Sequence, residues 1–292
     1  MLVAIYGRNI HPSFRENVAT LLSRLNSMNA DVIIFKPFYD FLQSSAGLRP
    51  RISGVFEDHT GVPANTDFLF AIGGDGTFLE TLSIVRDKGV PVVGINTGRL
   101  GFLSYISKDS LEESLDSIFS GHFDLEERML LEVRSNGNSM PEFNIALNEI
   151  RIYKHSASLV TIHVHVDDDF LSSYWADGLI LSTPTGSTAY NLSVGGPIVV
   201  PESDTMVLSP IAPHNLTVRP LVLPGKATLE FTVDTREPSY QLALDSRSWD
   251  IPVTEKIIVS RADHSLRMVR IENNSFYSTL RNKLMWGIDK RN

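Results

Sequence analysis

Three glycines enclose a single carboxylate at Gly73-Gly74-Asp75-Gly76-Thr77, and no other stretch limits the fold so tightly. The apolar run over 67–72 ahead of it reads as a buried strand. Behind it, Leu79, Leu82, Val85 and Arg86 fall at helical spacing. A strand that breaks into a Gly-rich turn and then starts a helix presents backbone N–H groups to an anion. Glycines placed there signal a backbone that must let a ligand come close. The run is neither the G-x-G-x-x-G fingerprint nor a Walker A loop, since no Lys follows. The acid is the odd member. A fixed anion would repel a bound phosphate, so Asp75 must serve otherwise, by deprotonating a hydroxyl or by holding a metal.

The flanking sequence extends this unit. Residues 2–6 and 31–35 are further apolar strands, separated by a helix whose stripe is Phe14, Val18, Leu21, Leu22, Leu25 and Met28. Strand, helix, strand with continuous apolar strands predicts a parallel sheet covered on both faces. Residues 46–66 lack periodicity and read as loop with one short strand near 52–56; a long polar loop ahead of such a turn is also where a lid would lie. A strand over 91–96 runs into a second Gly-punctuated loop at 97–103, and loops at the carboxyl ends of strands can share a crevice. A helix over 109–119 carries Leu111, Leu115, Ile118 and Phe119, with Ser110 and Glu113 spaced as a capping box.

From Phe123 to about Ile271 the pattern changes to period two with frequent turns, which predicts a mostly β domain. Phe276, Leu280 and Leu284 restore a helical stripe at the tail. The fold class that follows is an α/β N-terminal domain, a Rossmann-like open sheet bearing the glycine turn, plus a mostly β C-terminal sandwich, with the C-terminal helix returning to the first domain. The expected division is 1–121 plus 272–292 for the first and 122–271 for the second.

Composition narrows function. A net charge of -8 argues against nucleic acid as the partner. There is no Cys, so thiolate nucleophiles and Cys-ligated zinc are excluded. The first residues lack a basic n-region and a long apolar h-region, and no apolar run approaches a membrane span. The chain therefore reads as cytoplasmic and membrane-free.

Two further constellations stand out. Asn148-Glu149 is either a polar strand end or a clamp on vicinal ribose hydroxyls, which an amide and a carboxylate together can both donate to and accept from. In the stretch 176–197, a buried strand empties into six hydroxyl side chains between Ser182 and Tyr190, Tyr190 included. A short helix then starts near Ser187 and stops at Gly195-Gly196-Pro197. Capping needs fewer hydroxyls, which favours a ligand site. His163, His165 and Asp167 have the spacing of a metal site, but they alternate with Val and Ile and read as the outward face of a strand. Asp167-Asp168-Asp169 reads as a hairpin turn. His214 lies in a Pro-locked segment suited to a pocket wall. Trp175, Trp249 and Trp286 default to core or interface.

In order along the chain, Gly73 to Thr77, the loop 96–103 with Arg99, Asn148-Glu149 and 177–197 resemble the NAD kinase family. The segment 209–223, with Ala212, His214 and Arg219-Pro220, fits it as well. The resemblance covers roughly residues 65–260. Its first motif is shared with phosphofructokinases and with diacylglycerol and sphingosine kinases, whereas 177–197 is long and specific. The resemblance implies transfer of the γ-phosphoryl of ATP, or of polyphosphate in some members, to the 2′-hydroxyl of the adenosine ribose of NAD, giving NADP. Mg²⁺ would arrive on the donor's phosphates. Asp75 would be the general base, touching NAD together with Gly76. Asn148 and Glu149 would hold the nicotinamide ribose. Thr188, Ala189, Tyr190, Asn191, Leu192 and Ser193 would line the NAD site. Asp177 would reach the nicotinamide end from a neighbouring subunit of a homodimer or homotetramer. Gly73, Gly74, Gly76, Thr77 and Arg99 would meet donor phosphates.

One departure from the family is Asp245-Ser246-Arg247, where many members carry Asp-Gly-Gln. Arg247 would meet a phosphate if that loop touches the nucleotide. Trp175 is a second departure, standing where a small or polar residue is expected and able to stack on a base. Two other readings compete. A lipid or sphingoid kinase would need an apolar acceptor pocket, which the hydroxyl-rich 182–193 segment opposes. A non-catalytic NAD(P) sensor would have no use for an intact Asp75.

Overall fold

The computed structural model describes residues 1–98, 101–155, 159–271 and 275–287. In order, the first elements are β1 (Leu2–Gly7), α1 (Arg15–Ser27), β2 (Asp31–Phe35), α2 (Lys36–Ser44), β3 (Gly54–Phe56), β4 (Phe68–Ile72), α3 (Asp75–Val85), β5 (Val92–Ile95), α4 (Leu111–Phe119) and β6 (Asp124–Arg128). The β-rich middle runs through β7 (Leu131–Ser135), β8 (Ile145–Ala146), β9 (Glu149–Tyr153), β10 (Val160–Val166), β11 (Asp169–Ala176) and β12 (Gly178–Ser182). A 3-10 turn (Thr185–Thr188) and the single-turn α5 (Tyr190–Ser193) follow. Then come β13 (Thr205–Ile211), β14 (Leu221–Pro224), β15 (Leu229–Asp234), β16 (Ser239–Leu244), β17 (Arg247–Pro252) and β18 (Ile257–Arg261), before β19 (Leu266–Arg270) and α6 (Phe276–Leu284). The chain divides into two compact units: Met1–Glu127 with Leu266–Asn292, and Arg128–Ser265. Among the described residues no helix is long and apolar enough to cross a membrane.

The first unit is an α/β layer structure on a seven-stranded sheet of order β3-β2-β1-β4-β5-β19-β6. Strands β1 to β5 pair parallel, and β19 joins β5 parallel. β4 and β5 are apolar throughout and buried at nearly every residue because helices cover both faces. The period-two region therefore gives up both ends to this sheet. β6 and β19 lie in it, not in the β domain expected over 122–271, since alternation does not say which sheet a strand joins. Acids of β6 meet arginines of β19, as in Arg270 Nη2 to Asp124 Oδ2 at 2.9 Å.

Two local expectations change. Met28 is exposed just past the end of α1, whose buried stripe is Phe14, Val18, Leu21 and Leu25. Ser110 makes no cap on α4; its hydroxyl bonds Ser107 instead. A helix that went unread, α2 over residues 36–44, follows β2 directly and buries Phe38 and Leu42. The stretch 46–66 is the expected loop with one short strand: β3 extends the sheet, Phe56, Val62 and Thr66 are its buried residues, and Lys88 Nζ donates to Val62 O at 2.7 Å, while most of the rest is exposed.

The second unit is a sandwich of two six-stranded sheets, β11-β10-β15-β18-β7-β8 and β14-β13-β12-β9-β16-β17. All pairings described within it are antiparallel. Alternate residues of both sheets meet in one core: Leu131, Val133, Ile162, Val164 and Phe231 from one, Ile150, Ile152, Leu181, Leu208 and Leu242 from the other. Asp167 and Asp168 turn the β10–β11 hairpin with φ of 49° and 72°, the turn read from the sequence.

Candidate functional site

Asp75 is the first residue of α3 and does not precede it. The N-cap is Gly74, with no side chain to satisfy the first N–H groups of the helix. None of Gly73, Gly74 and Gly76 has positive φ, so turn geometry does not explain them. A Cβ on Gly74 or Gly76 would meet nothing within 4 Å. The amino end of α3 is thus bare, open and electropositive, which suits a phosphate.

The carboxylate of Asp75 turns to the second glycine loop. Phe102 N donates to Oδ2 at 2.9 Å, and Leu103 N and Ser104 N donate to Oδ1 at 3.0 and 3.2 Å. Gly101 permits this approach, because a Cβ there would collide with the Asp75 carboxylate. The loop is anchored by Asn96 N to Ile106 O at 2.7 Å and Ile106 N to Gly94 O at 3.1 Å. Lys283 at the end of α6 places Nζ 3.4 Å from Asp75 Oδ2 and 4.8 Å from the centre of the Phe102 ring. Phe276 of the same helix packs on Phe102 at 6.1 Å. The apolar stripe of the tail helix gave no sign of Lys283. Glu80, also unforeseen, accepts from Tyr6 Oη and Arg8 Nε at 2.8 Å each. Arg99, expected on donor phosphates, lies outside the described residues.

In the second unit Asp245 plays the part that Asp75 plays in the first. It sits at φ 54° in the β16–β17 turn, buried, and its carboxylate accepts from Leu147, Asn148 and Glu149 N at 3.0, 2.8 and 3.2 Å. Burial pushes its pKa up while these three N–H groups oppose the shift. Arg247 does not present a free cation for a phosphate. Its guanidinium donates to Phe143 O at 2.9 Å and to Ile145 O, and stacks 4.7 Å from the Phe143 ring.

Asp245 thereby fixes the start of β9, where Asn148 and Glu149 stand. Burial, with Asp245 adding to it and Arg151 opposing, pushes the Glu149 carboxyl up to about 7. Its Oε2 is buried without a hydrogen-bond partner. Arg151 Nε lies 3.8 Å from Oε1. Arg151 also lines a cavity of about 300 Å³ with Tyr153, Lys154, Asp177, Tyr190 and Ile211. Its guanidinium sits 5.4 Å from the Tyr190 ring, and Lys154 Nζ meets Asp177 Oδ1 at 2.5 Å. Cations, a carboxylate and aromatic faces around one opening suit a polar, planar ligand. Arg151 and Lys154 went unread, although Arg151 alternating with Ile150 and Ile152 on a strand was the available signal.

Several side chains of the hydroxyl-rich segment bond within the fold, whereas Thr185 Oγ1 is buried without a hydrogen-bond partner. Thr183 Oγ1 donates to Leu147 O at 2.6 Å and accepts from Gly186 N at 3.0 Å. Ser187 Oγ donates to Val199 O at 3.1 Å, and Thr188 Oγ1 donates to Thr185 O at 3.3 Å. Asn191 is fully buried, accepting from Ser209 Oγ at 2.6 Å and donating to Pro197 O at 3.2 Å, so its side chain holds the turn and offers nothing to a ligand. Gly186 packs on the backbone of Asn148, where a Cβ would collide with the carbonyl oxygen. Thr183 and Gly186 therefore bind this turn to the segment 147–148 ahead of β9, while Ser187 ties it to Val199. Thr188, Ala189 and Leu192 are half-buried, and Tyr190 and Ser193 exposed.

Trp175 is 55% exposed on the edge strand β11, and its carbonyl accepts from His214 N at 2.8 Å. His214 is itself exposed, as is Ala212 at φ 43°. His163 bonds Ser173 Oγ at 2.7 Å and His165 packs against Phe170 at 5.3 Å. Among the described residues no three His, Asp or Glu side chains converge as a metal site.

Two family models match the chain: the ATP-NAD kinase N-terminal domain over 12–123 and the ATP-NAD kinase C-terminal domain over 147–271. NAD kinases of Cytophaga hutchinsonii and Christiangramia forsetii are 39% and 40% identical to it, with 100% of each chain covered. Yeast NADH kinase complexed with NADH is a similar solved structure, with a TM-score of 0.86 and 25% identity over 99% of this chain and 89% of that one. An NAD kinase from Archaeoglobus fulgidus in complex with ATP shares the fold at a TM-score of 0.74 and 24% identity over 98% and 99% of the two chains.

Proposed function

The chain belongs to the NAD kinase family, and from that premise we propose how its residues divide the work. The reaction moves the γ-phosphoryl group of ATP onto the 2′-hydroxyl of the adenosine ribose of NAD. Asp75 Oδ2 takes the hydroxyl proton, the 2′-oxygen bonds to phosphorus, and the bond from phosphorus to the bridging oxygen of ADP breaks. One observation supports this reading above the rest. Asp75 is fixed by three backbone N–H groups beside the bare amino end of α3. Acid and phosphate then do not compete: the loop at 102–104 holds the carboxylate, and the α3 amides remain for the donor with Gly73, Gly74, Gly76 and Thr77 around them.

The second unit supplies NAD recognition in this reading. Glu149, ionising near neutrality, can both donate to and accept from ribose hydroxyls together with Asn148. Arg151, Asp177 and Tyr190 of the cavity hold the dinucleotide, flanked by Thr188, Ala189 and Ser193. In this reading a magnesium ion would come carried on the donor's phosphates. When bound, that ion supplies charge neutralisation to the transferring group. The assembly is a homodimer or homotetramer, with Trp175 on its exposed β11 edge available to a neighbouring copy.

Protein incubated with Mg-ATP and NAD should form NADP. The variant Asp75→Asn should lose on the order of 100- to 10,000-fold in kcat, the usual range for a general base, with NAD affinity retained. Formation of no NADP from NAD or NADH, with ATP or polyphosphate, would overturn the reading. An Asp75→Asn enzyme that turns over normally would remove the base assignment.

A further inference from the structure

A carboxylate offers about four lone-pair positions. Three of those on Asp75 accept N–H groups of Phe102, Leu103 and Ser104, and the ammonium of Lys283 faces Oδ2 from 3.4 Å. In this state the base has no free position for a proton. The three amides belong to a loop anchored at both Asn96 and Ile106, and Gly101 leaves it no slack. Lys283 is different. Its side chain is 38% exposed, rides on a flexible stem, and makes a long ion pair of the kind that is weak in water.

We propose that Lys283 caps Asp75 while the donor site is empty and moves to the γ-phosphate when ATP binds. The move uncovers Oδ2 for the 2′-hydroxyl proton. It also sets a cation on the group being transferred, as phosphoryl transfer requires. A triphosphate outcompetes a single carboxylate for the ammonium, and the Phe102 ring beneath Nζ keeps the cation beside the α3 amino end in either position. The C-terminal helix is then part of the phosphoryl-transfer apparatus. This inference rests on Asp75 being the base.

The full-length enzyme tests it through Lys283→Met, Lys283→Arg, Asp75→Asn and the double variant Asp75→Asn/Lys283→Met. Each is assayed for kcat and KM and titrated calorimetrically with a magnesium complex of a non-hydrolysable ATP analogue. Lys283→Met should lower kcat on the order of 100-fold, as loss of a transition-state donor does. It should weaken analogue binding about tenfold, the scale of one charge-assisted contact. NAD affinity should hold, and Lys283→Arg should recover part of both losses. Asp75→Asn should tighten analogue binding by releasing Lys283, and the double variant should show no such gain, a coupling that a packing role for Lys283 would not produce. Normal kcat and analogue affinity in Lys283→Met would overturn the proposal. So would equal tightening by Asp75→Asn with and without Lys283. An inactive Asp75→Asn beside a fully active Lys283→Met would sink this inference alone, whereas an active Asp75→Asn would sink the base assignment first.

Discussion

Glu149 ties the site to the stability of its domain. Its carboxyl rises from an ordinary 4.5 to about 7 because burial disfavours the charge, so the folded chain holds this proton more tightly than the unfolded one. The stabilisation is complete below the unfolded value, declines as pH rises from there, and is gone above the folded value. Across that window it amounts to about 3 kcal/mol. Glu149→Gln, which copies the protonated form, should therefore melt above the parent at pH 8 and close to it near pH 4.5. Calorimetric scans across that range decide: parallel curves for the two proteins would show that Glu149 does not carry this titration. The pairing of Asn148 with Glu149 was legible from residue type alone. Why Glu149 ionises only near neutrality was not, because its burial comes from the folded sheet and the charge beside it, Asp245, lies almost a hundred positions later in the chain. Lys283 was hidden for the same reason, as its partner Asp75 lies far back in the sequence.

Elements announced themselves where their burial was one-sided or complete. β4, β5 and β12 are apolar runs, and α1 and α6 carry stripes, so their existence and type could be read directly. β6 could not, because Asp-Leu-Glu-Glu-Arg is a charged edge whose acids are matched by the arginines of β19. The β16–β17 hairpin shows what a turn can carry beyond its own strands. Its Asp245 accepts three N–H groups from the segment that links β8 to β9, so one side chain joins this hairpin to that link at the candidate NAD site. Replacing it by Ala leaves those three donors without an acceptor in the interior. Asp245→Ala should destabilise the protein by roughly 3 kcal/mol and raise KM for NAD, with KM for ATP little changed. Denaturant titration and steady-state kinetics check both, and a variant with unaltered stability would mean that water replaces the carboxylate.

The two units differ in how the chain builds them, and this has a consequence for folding. The sandwich is one continuous segment with its own closed core between two sheets. The α/β unit is discontinuous: β19 stands between β5 and β6, so the sheet begun at residue 2 is completed only by residues 266–270. Without β19, the fully apolar β5 becomes an open edge and β6 loses the strand beside it. A fragment spanning 128–265 should therefore be soluble and unfold cooperatively on its own. A fragment ending at 127 should aggregate or remain unfolded, and joining 266–287 to it through a flexible linker should restore a folded α/β unit. Circular dichroism with thermal melts on the three fragments separates the cases. A folded 1–127 would show that β19 decorates the sheet instead of completing it. If the fragments behave as expected, the unit that carries Asp75 cannot finish folding until β19 has been synthesised, after the whole of the sandwich.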